Sequence, residues 1–152
     1  MGTRPPQGTR GRELPRLGFQ LVSGSHVFWY RLTRGLLGSR LGPVRTLLLD
    51  HVGSKSQKRH TTPLTYGRDG QNLILVASKG GSAQHPAWYT NLVAHPDAEV
   101  QVGSRRMKVR ARTASPDEKP RLWDLMTREW PGYDDYQRNT DREIPVVILE
   151  PR

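Results

Sequence analysis

Three stretches of this 152-residue chain group side chains that could do chemistry. The first runs Gly53, Ser54, Lys55, Ser56, Gln57, Lys58, Arg59, His60, Thr61, Thr62 and offers three fixed cations and four hydroxyls. A loop of that composition holds a phosphate through charge-assisted hydrogen bonds, although the same residues also make an ordinary solvated hairpin tip. The second is Ser78-Lys79-Gly80-Gly81, placed after an apolar run and before a helix. Its glycines let the backbone approach a ligand closely, and the lysine and the following helix N-terminus favour negative charge. The plainer reading is a strand-to-helix turn with a solvated lysine. The third is the aromatic set Trp130, Tyr133 and Tyr136, whose helical spacing points all three the same way. Such a set usually builds a core, but the Pro131-Gly132 break and the neighbouring Asp134 and Asp135 point to a partly exposed segment that roofs a pocket.

Other chemistries drop out. The chain has no cysteine, which removes disulfides, thiolate metal sites and thiol nucleophiles. It has no H-E-x-x-H, G-x-S-x-G, G-x-G-x-x-G or G-x-x-x-x-G-K-[ST] motif, and five scattered histidines make no metal site. The net charge of +10 calls for an anionic partner. That charge is concentrated, because residues 1–60 carry eleven basic and two acidic side chains. No apolar run reaches the roughly 18 residues needed to span a bilayer, and no signal peptide is evident, so the cytoplasm is the expected compartment.

The elements that must position these groups read as follows. Residues 1–20, rich in Gly, Pro and Arg, form a disordered basic tail. Between Leu21 and Leu41, apolar residues at near-helical spacing alternate with Arg31, Arg34 and Arg40, which predicts a basic amphipathic helix. The domain proper occupies 42–152. Strands are predicted at Val44–Val52, Pro63–Tyr66 and Leu73–Ala77, the last preceded by an Asp69-Gly70 turn. Pro86 and Pro96 bracket a short helix. Alternating residues from Ala98 to Ala111, turning at Gly103-Ser104, make a hairpin with one wet face. A capping box from Ser115 to Glu118 opens a helix that stops near Trp130, and Val146–Leu149 is a final strand. Short connections favour antiparallel pairing, and the expected fold is a small β-barrel with peripheral helices, of the α+β class.

Two strings then carry a resemblance. Ala77-Ser78-Lys79-Gly80-Gly81 with His85, Pro86, Ala87, Trp88, Tyr89, Asn91, Leu92 and Pro96 closely resembles the deazaflavin (F420)-dependent nitroreductase family. So does the ending Tyr133, Tyr136, Gln137, Thr140, Asp141, Arg142, Ile144, Pro145, Val146, Val147. The resemblance implies a split β-barrel akin to the FMN-binding and pyridoxamine-phosphate-oxidase-like barrels, and coenzyme F420 as hydride donor to quinones, nitroaromatics or similar acceptors. It implies coenzyme contacts from Lys55, Ser56, His60, Thr61, Thr62, Pro63 and Leu64 on the phosphate side. Around the ring it implies Val76, Ala77, Ser78, Lys79, Gly80 and Gly81, completed by Trp88, Tyr89 and Asn91. Trp130, Tyr133 and Tyr136 would shape the substrate side, with Ser78, Tyr133 and Tyr136 as catalytic groups. Ser54, Gln57 and His60 depart from the family loop, which carries arginine, glycine and arginine at those places.

The other expectations concern partners. FMN in place of F420 is the nearest alternative cofactor, and a cofactor-free module binding anions or nucleic acid is the rival class, disfavoured because the hairpin lacks an exposed aromatic platform. No metal is expected. The segment 21–41 would touch anionic lipid at the inner face of the membrane, and the chain is expected to be a monomer or weak oligomer.

Overall fold

The computed structural model describes residues 45–152. The expected basic tail, the amphipathic helix 21–41 and its membrane contact lie outside the described residues.

The first strand, β1 (Thr46–Val52), alternates so that Leu47, Leu49 and His51 face inward. It pairs with β2 (Arg59–Thr65) over its whole length. A short strand β3 (Gly67–Asp69) turns through Gly70 into β4 (Asn72–Val76). A tight 3-10 turn at Lys79–Gly81 leads to α1 (Ala87–Ala94). The hairpin β5 (Asp97–Val102) and β6 (Arg105–Thr113) follows, then α2 (Lys119–Glu129), α3 (Gly132–Arg138) and β7 (Val146–Pro151).

Among the described residues all pairings are antiparallel, and seven strands run β2-β1-β5-β6-β7-β4-β3 in one sheet. The sheet curls until β2 approaches β4, giving the expected barrel as an open half-barrel with three helices around it. Curling produces two apolar layers. The inner one joins Leu47, Leu49, Leu73, Leu75, Val100, Val147 and Leu149 to Trp88 and Leu92 of α1. The outer one sets Ile74, Val76, Val146 and Ile148 against Leu122, Met126 and Tyr133. Strands β4 and β7 are therefore buried on both faces, which is why they read as unbroken apolar runs.

Two sequence expectations need correction. The second strand begins at Arg59 instead of Pro63, because the seven-residue register with β1 satisfies the backbone of Arg59–Thr62 despite their polarity. The strand β3 was not anticipated, since three residues carry no readable period. The capping box forms as expected: Glu118 N–H donates to Ser115 Oγ at 3.3 Å, and Ser115 N–H to Glu118 Oε1 at 3.1 Å, with regular helix starting at Lys119.

Helix α2 is held by Leu122 and Met126, both fully buried. Replacing Leu122→Ala is expected to lower unfolding free energy by about 2–5 kcal/mol. Urea denaturation would measure it, and a loss below about 1 kcal/mol would mean that α2 is not anchored through this residue.

Candidate functional site

A cavity of about 480 Å³ opens between the curled sheet and the helices. Four pieces of chain meet there: the end of β2, the segment from the end of β4 into the Lys79–Gly81 turn, the start of α1, and the α2–α3 junction with α3. Its lining includes Pro63, Leu64, Val76, Ser78, Lys79, Gly80, Trp88, Trp130, Tyr133 and Tyr136, ten of the residues singled out from sequence. Thr65, Leu75 and Pro86 line it as well and were not anticipated. Strand alternation could have pointed to Thr65, which shares a face with Pro63.

The turn is conformationally costly. Lys79, Gly80 and Gly81 have φ of 45°, 62° and 81°, three consecutive residues in the left-handed region. For Lys79 that costs about 1–2 kcal/mol. Gly81 is required for a second reason, since a Cβ there would lie 2.7 Å from the Tyr136 carbonyl oxygen. The turn thus rests directly on the backbone of α3. The carbonyls flanking it are held by Arg142, whose guanidinium donates to the oxygens of Ala77 (3.1 Å), Ser78 (2.7 Å) and Ser82 (2.8 Å). Arg142 falls within the C-terminal motif, where sequence alone assigns it no role.

The aromatic side is built by the Pro131-Gly132 break. Pro131 starts α3, and Gly132 lies so close to the Trp130 indole that a Cβ would come within 2.5 Å of Nε1. Trp130 remains 39% exposed over the cavity mouth, while Tyr133 is only 5% exposed. Tyr133 packs edge-on to Tyr136 with ring centroids 6.2 Å apart. Asp134 accepts a 2.7 Å hydrogen bond from Trp123 Nε1, tying α3 to α2. Burial pushes the Tyr133 phenol up to about 12, against a smaller opposing effect of its hydrogen bond with Thr65, so it stays protonated at neutral pH.

The basic stretch is organised differently from a simple phosphate loop. Gly53 N–H bonds the Lys58 carbonyl at 2.8 Å, closing a tight turn that leaves Lys55 and Ser56 exposed and sets Gln57 at φ 58°. Register splits the rest between two faces. His60, Thr62 and Leu64 sit opposite His51, Leu49 and Leu47, on the inner side, whereas Arg59, Thr61 and Pro63 sit opposite Val52, Asp50 and Leu48. His60 stacks on His51 at 5.6 Å, and Thr61 bonds Asp50. The expected strip from His60 to Leu64 therefore presents no single face, and only Pro63 and Leu64 of it line the cavity.

Among the other expected contacts, Lys55, Ser56, Ala77, Gly81, Tyr89 and Asn91 are outside the cavity lining. Ala77 is fully buried, and Tyr89 bonds Thr113 at 3.0 Å. Asn91 works at one remove: its Oδ1 accepts from Ser54 N–H at 2.9 Å, and its Nδ2 donates to His51 Nδ1 at 3.0 Å. That bond fixes the His51 tautomer, with the Nε2 proton directed to Thr62 Oγ1 at 2.9 Å. Burial, and then the neighbouring His60, lower the His51 pKa to about 4. No cluster of His, Cys, Asp or Glu among the described residues has the geometry of a metal site.

Comparison with known proteins shows the family of the chain. The family model for F420H(2)-dependent quinone reductase matches residues 23–151. The chain belongs to that family. Its relatives include an F420H(2)-dependent quinone reductase of Mycobacterium tuberculosis, 42% identical over 140 residues, covering 90% of this chain and 93% of that protein. Among solved structures, an F420-H2 dependent reductase is 38% identical with a TM-score of 0.64, over 69% of this chain and 93% of that one. A Listeria innocua protein named for pyridoxamine 5'-phosphate oxidase aligns at 13% identity and TM-score 0.50, over 90% of this chain and 94% of that one, a likeness of fold alone. Membership of the quinone reductase family makes this an F420H2-dependent reductase and F420 its cofactor. No helix among the described residues is long and apolar enough to cross a membrane.

The residues present fit a planar, electron-rich coenzyme. The cavity is of ligand size, its walls combine apolar and aromatic side chains with exposed backbone at Gly80, and Lys79 brings a positive charge to its edge. A Cβ at Gly80 would meet nothing within 4 Å, so that backbone edge is open to a ligand.

Two outcomes follow for this F420-dependent reductase. Because the His51 pKa is depressed in the folded chain, its contribution to stability is present above about pH 6.5 and is lost as pH falls toward about 4. The urea midpoint should fall over that window, and fall less in His51→Gln; parallel pH profiles would acquit His51. Gly81→Ala should destabilise the fold by roughly 1–3 kcal/mol, through both the positive φ and the contact with Tyr136. Thermal melting checks it, and an unshifted midpoint would mean that the turn and α3 part without cost.

Proposed function

We propose that this chain uses the cavity to hold F420H2 beside a quinone, with the Ser78–Gly81 segment facing the coenzyme and Trp130, Tyr133 and Tyr136 facing the acceptor. The observation that carries the reading is the convergence of both sequence motifs, remote along the chain, on one cavity. When bound, the coenzyme supplies a hydride from a ring carbon. The protein's share is orientation, exclusion of water and stabilisation of charge.

Ser78 is buried at the cavity wall, and the turn that follows it exposes backbone rather than side chain at Gly80. Lys79, half a turn on, supplies positive charge on the coenzyme side. On the other wall, Tyr133 carries a phenol that keeps its proton at neutral pH. As a hydride reaches a quinone, negative charge grows on the acceptor oxygen, and the Tyr133 O–H donates to it. Transfer of that proton completes the two-electron reduction to the quinol, the phenol then being reprotonated from solvent. Tyr136, at the edge of Tyr133, closes the acceptor side. Nitroaromatics develop charge on oxygen in the same way and are a second acceptor class within this reading.

The experiment is fluorescence titration with oxidised F420, with FMN in parallel, followed by turnover of a soluble quinone with F420H2. Saturable F420 binding, weak FMN binding and quinone turnover are expected; tight FMN binding with no F420 binding would overturn the assignment of the cavity. In Tyr133→Phe, kcat should drop by about 100-fold while the F420 dissociation constant stays within about twofold. Unchanged turnover would remove Tyr133 from proton donation.

A further inference from the structure

We infer that Arg142 is a positioning residue for coenzyme binding: its guanidinium clasps both ends of the turn that lines the cavity and holds Ser78, Lys79 and Gly80 in their ligand-facing conformation. The inference rests on the reading of the cavity given above.

The geometry is specific. Arg142 Nη1 and Nη2 donate to the carbonyls of Ala77 and Ser78, which enter the turn, and Nε donates to the carbonyl of Ser82, which leaves it. One rigid fork therefore bridges residues separated by three left-handed positions. Within the turn itself only two backbone bonds close the chain, Gly81 N–H to Ser78 O at 2.9 Å and Ser82 N–H to Lys79 O at 3.1 Å. Such a turn, strained at Lys79 and free to relax at two glycines, needs external restraint to keep one conformation. Gly81 lies directly against the Tyr136 backbone of α3, and Arg142 holds the carbonyls that flank the turn.

The side chain is itself held in place. Nη1 also reaches His85 Nδ1 at 3.1 Å, and His85 packs on Tyr89 with ring centroids 4.9 Å apart. The Arg142 carbonyl accepts from Gln137 Nε2 at 2.9 Å, which fixes the backbone that carries the clasp to α3. None of the ion pairs among the described residues uses Arg142, so its charge is spent on carbonyl dipoles and stays uncancelled beneath the cavity wall. Lysine would keep that charge but cannot span three carbonyls with one planar fork.

Arg142→Lys therefore separates geometry from charge. Amide hydrogen exchange in the coenzyme-free protein should accelerate by about tenfold or more at Gly81 and Ser82, with β4 and β7 amides unchanged. The dissociation constant for F420 should rise by about tenfold, while the quinone KM stays within about twofold. Unchanged exchange at Gly81 and Ser82 would overturn the clasp, and accelerated exchange with unchanged F420 affinity would overturn its role in binding. Should the unmutated protein fail to bind F420 while the variant's exchange is accelerated, the clasp stands and the assignment of the cavity falls.

Discussion

Much of this molecule depends on how closely the Lys79–Gly81 turn is pressed between two supports. The α3 backbone leaves no room for a Cβ at Gly81, and the Arg142 guanidinium takes three carbonyls that flank the turn. Chain leaving a buried strand would ordinarily escape to solvent and satisfy its carbonyls with water. Here the carbonyls are paired internally, so the turn stays tucked under α3 and the cavity keeps a wall. Displacing α3 would move Tyr133 and Tyr136 as well, which makes the two sides of the cavity mechanically one unit.

The half-barrel supplies the frame for that unit. Because β4 and β7 are covered on both faces, they cannot slide without exposing one apolar layer or the other. The turn that leaves β4 is held against the segment entering β7 by the Ala77 N–H to Pro145 O bond of 2.9 Å. The doubly covered pair β4 and β7 thus places the strained turn, consistent with sites whose strain is sustained by surrounding packing.

The basic stretch after β1 illustrates a different balance. A phosphate-binding loop needs its donors convergent, whereas strand geometry sends alternate residues to opposite faces. The seven-residue pairing of β2 with β1 prevails, and only the turn from Gly53 to Lys58 remains outside the ladder. That turn is anchored from within by Asn91 and the neutral His51, so a histidine's protonation state reaches a turn that carries exposed cations.

Residue types and spacing alone determined the antiparallel strand-rich class, the hairpin at Gly103, the capped helix after Ser115 and the two motifs that meet at the cavity. These were legible because each rests on local physics: alternation, a reciprocal cap, a proline at a helix boundary. Local pattern could not reveal β3, too short to show a period, or the polar start of β2, which is a strand only because β1 lies beside it. Nor could it give roles to Arg142 or Thr65, or show that Asn91 bonds Ser54 and His51. Arg142 meets Ser78 across 64 positions of sequence and Asn91 meets Ser54 across 37, and such contacts exist only once the sheet has curled. The sequence carried the ingredients of the site, while tertiary structure decided which of them face one another, because strand register and chain closure are set by the packing of the whole core rather than by neighbours along the chain.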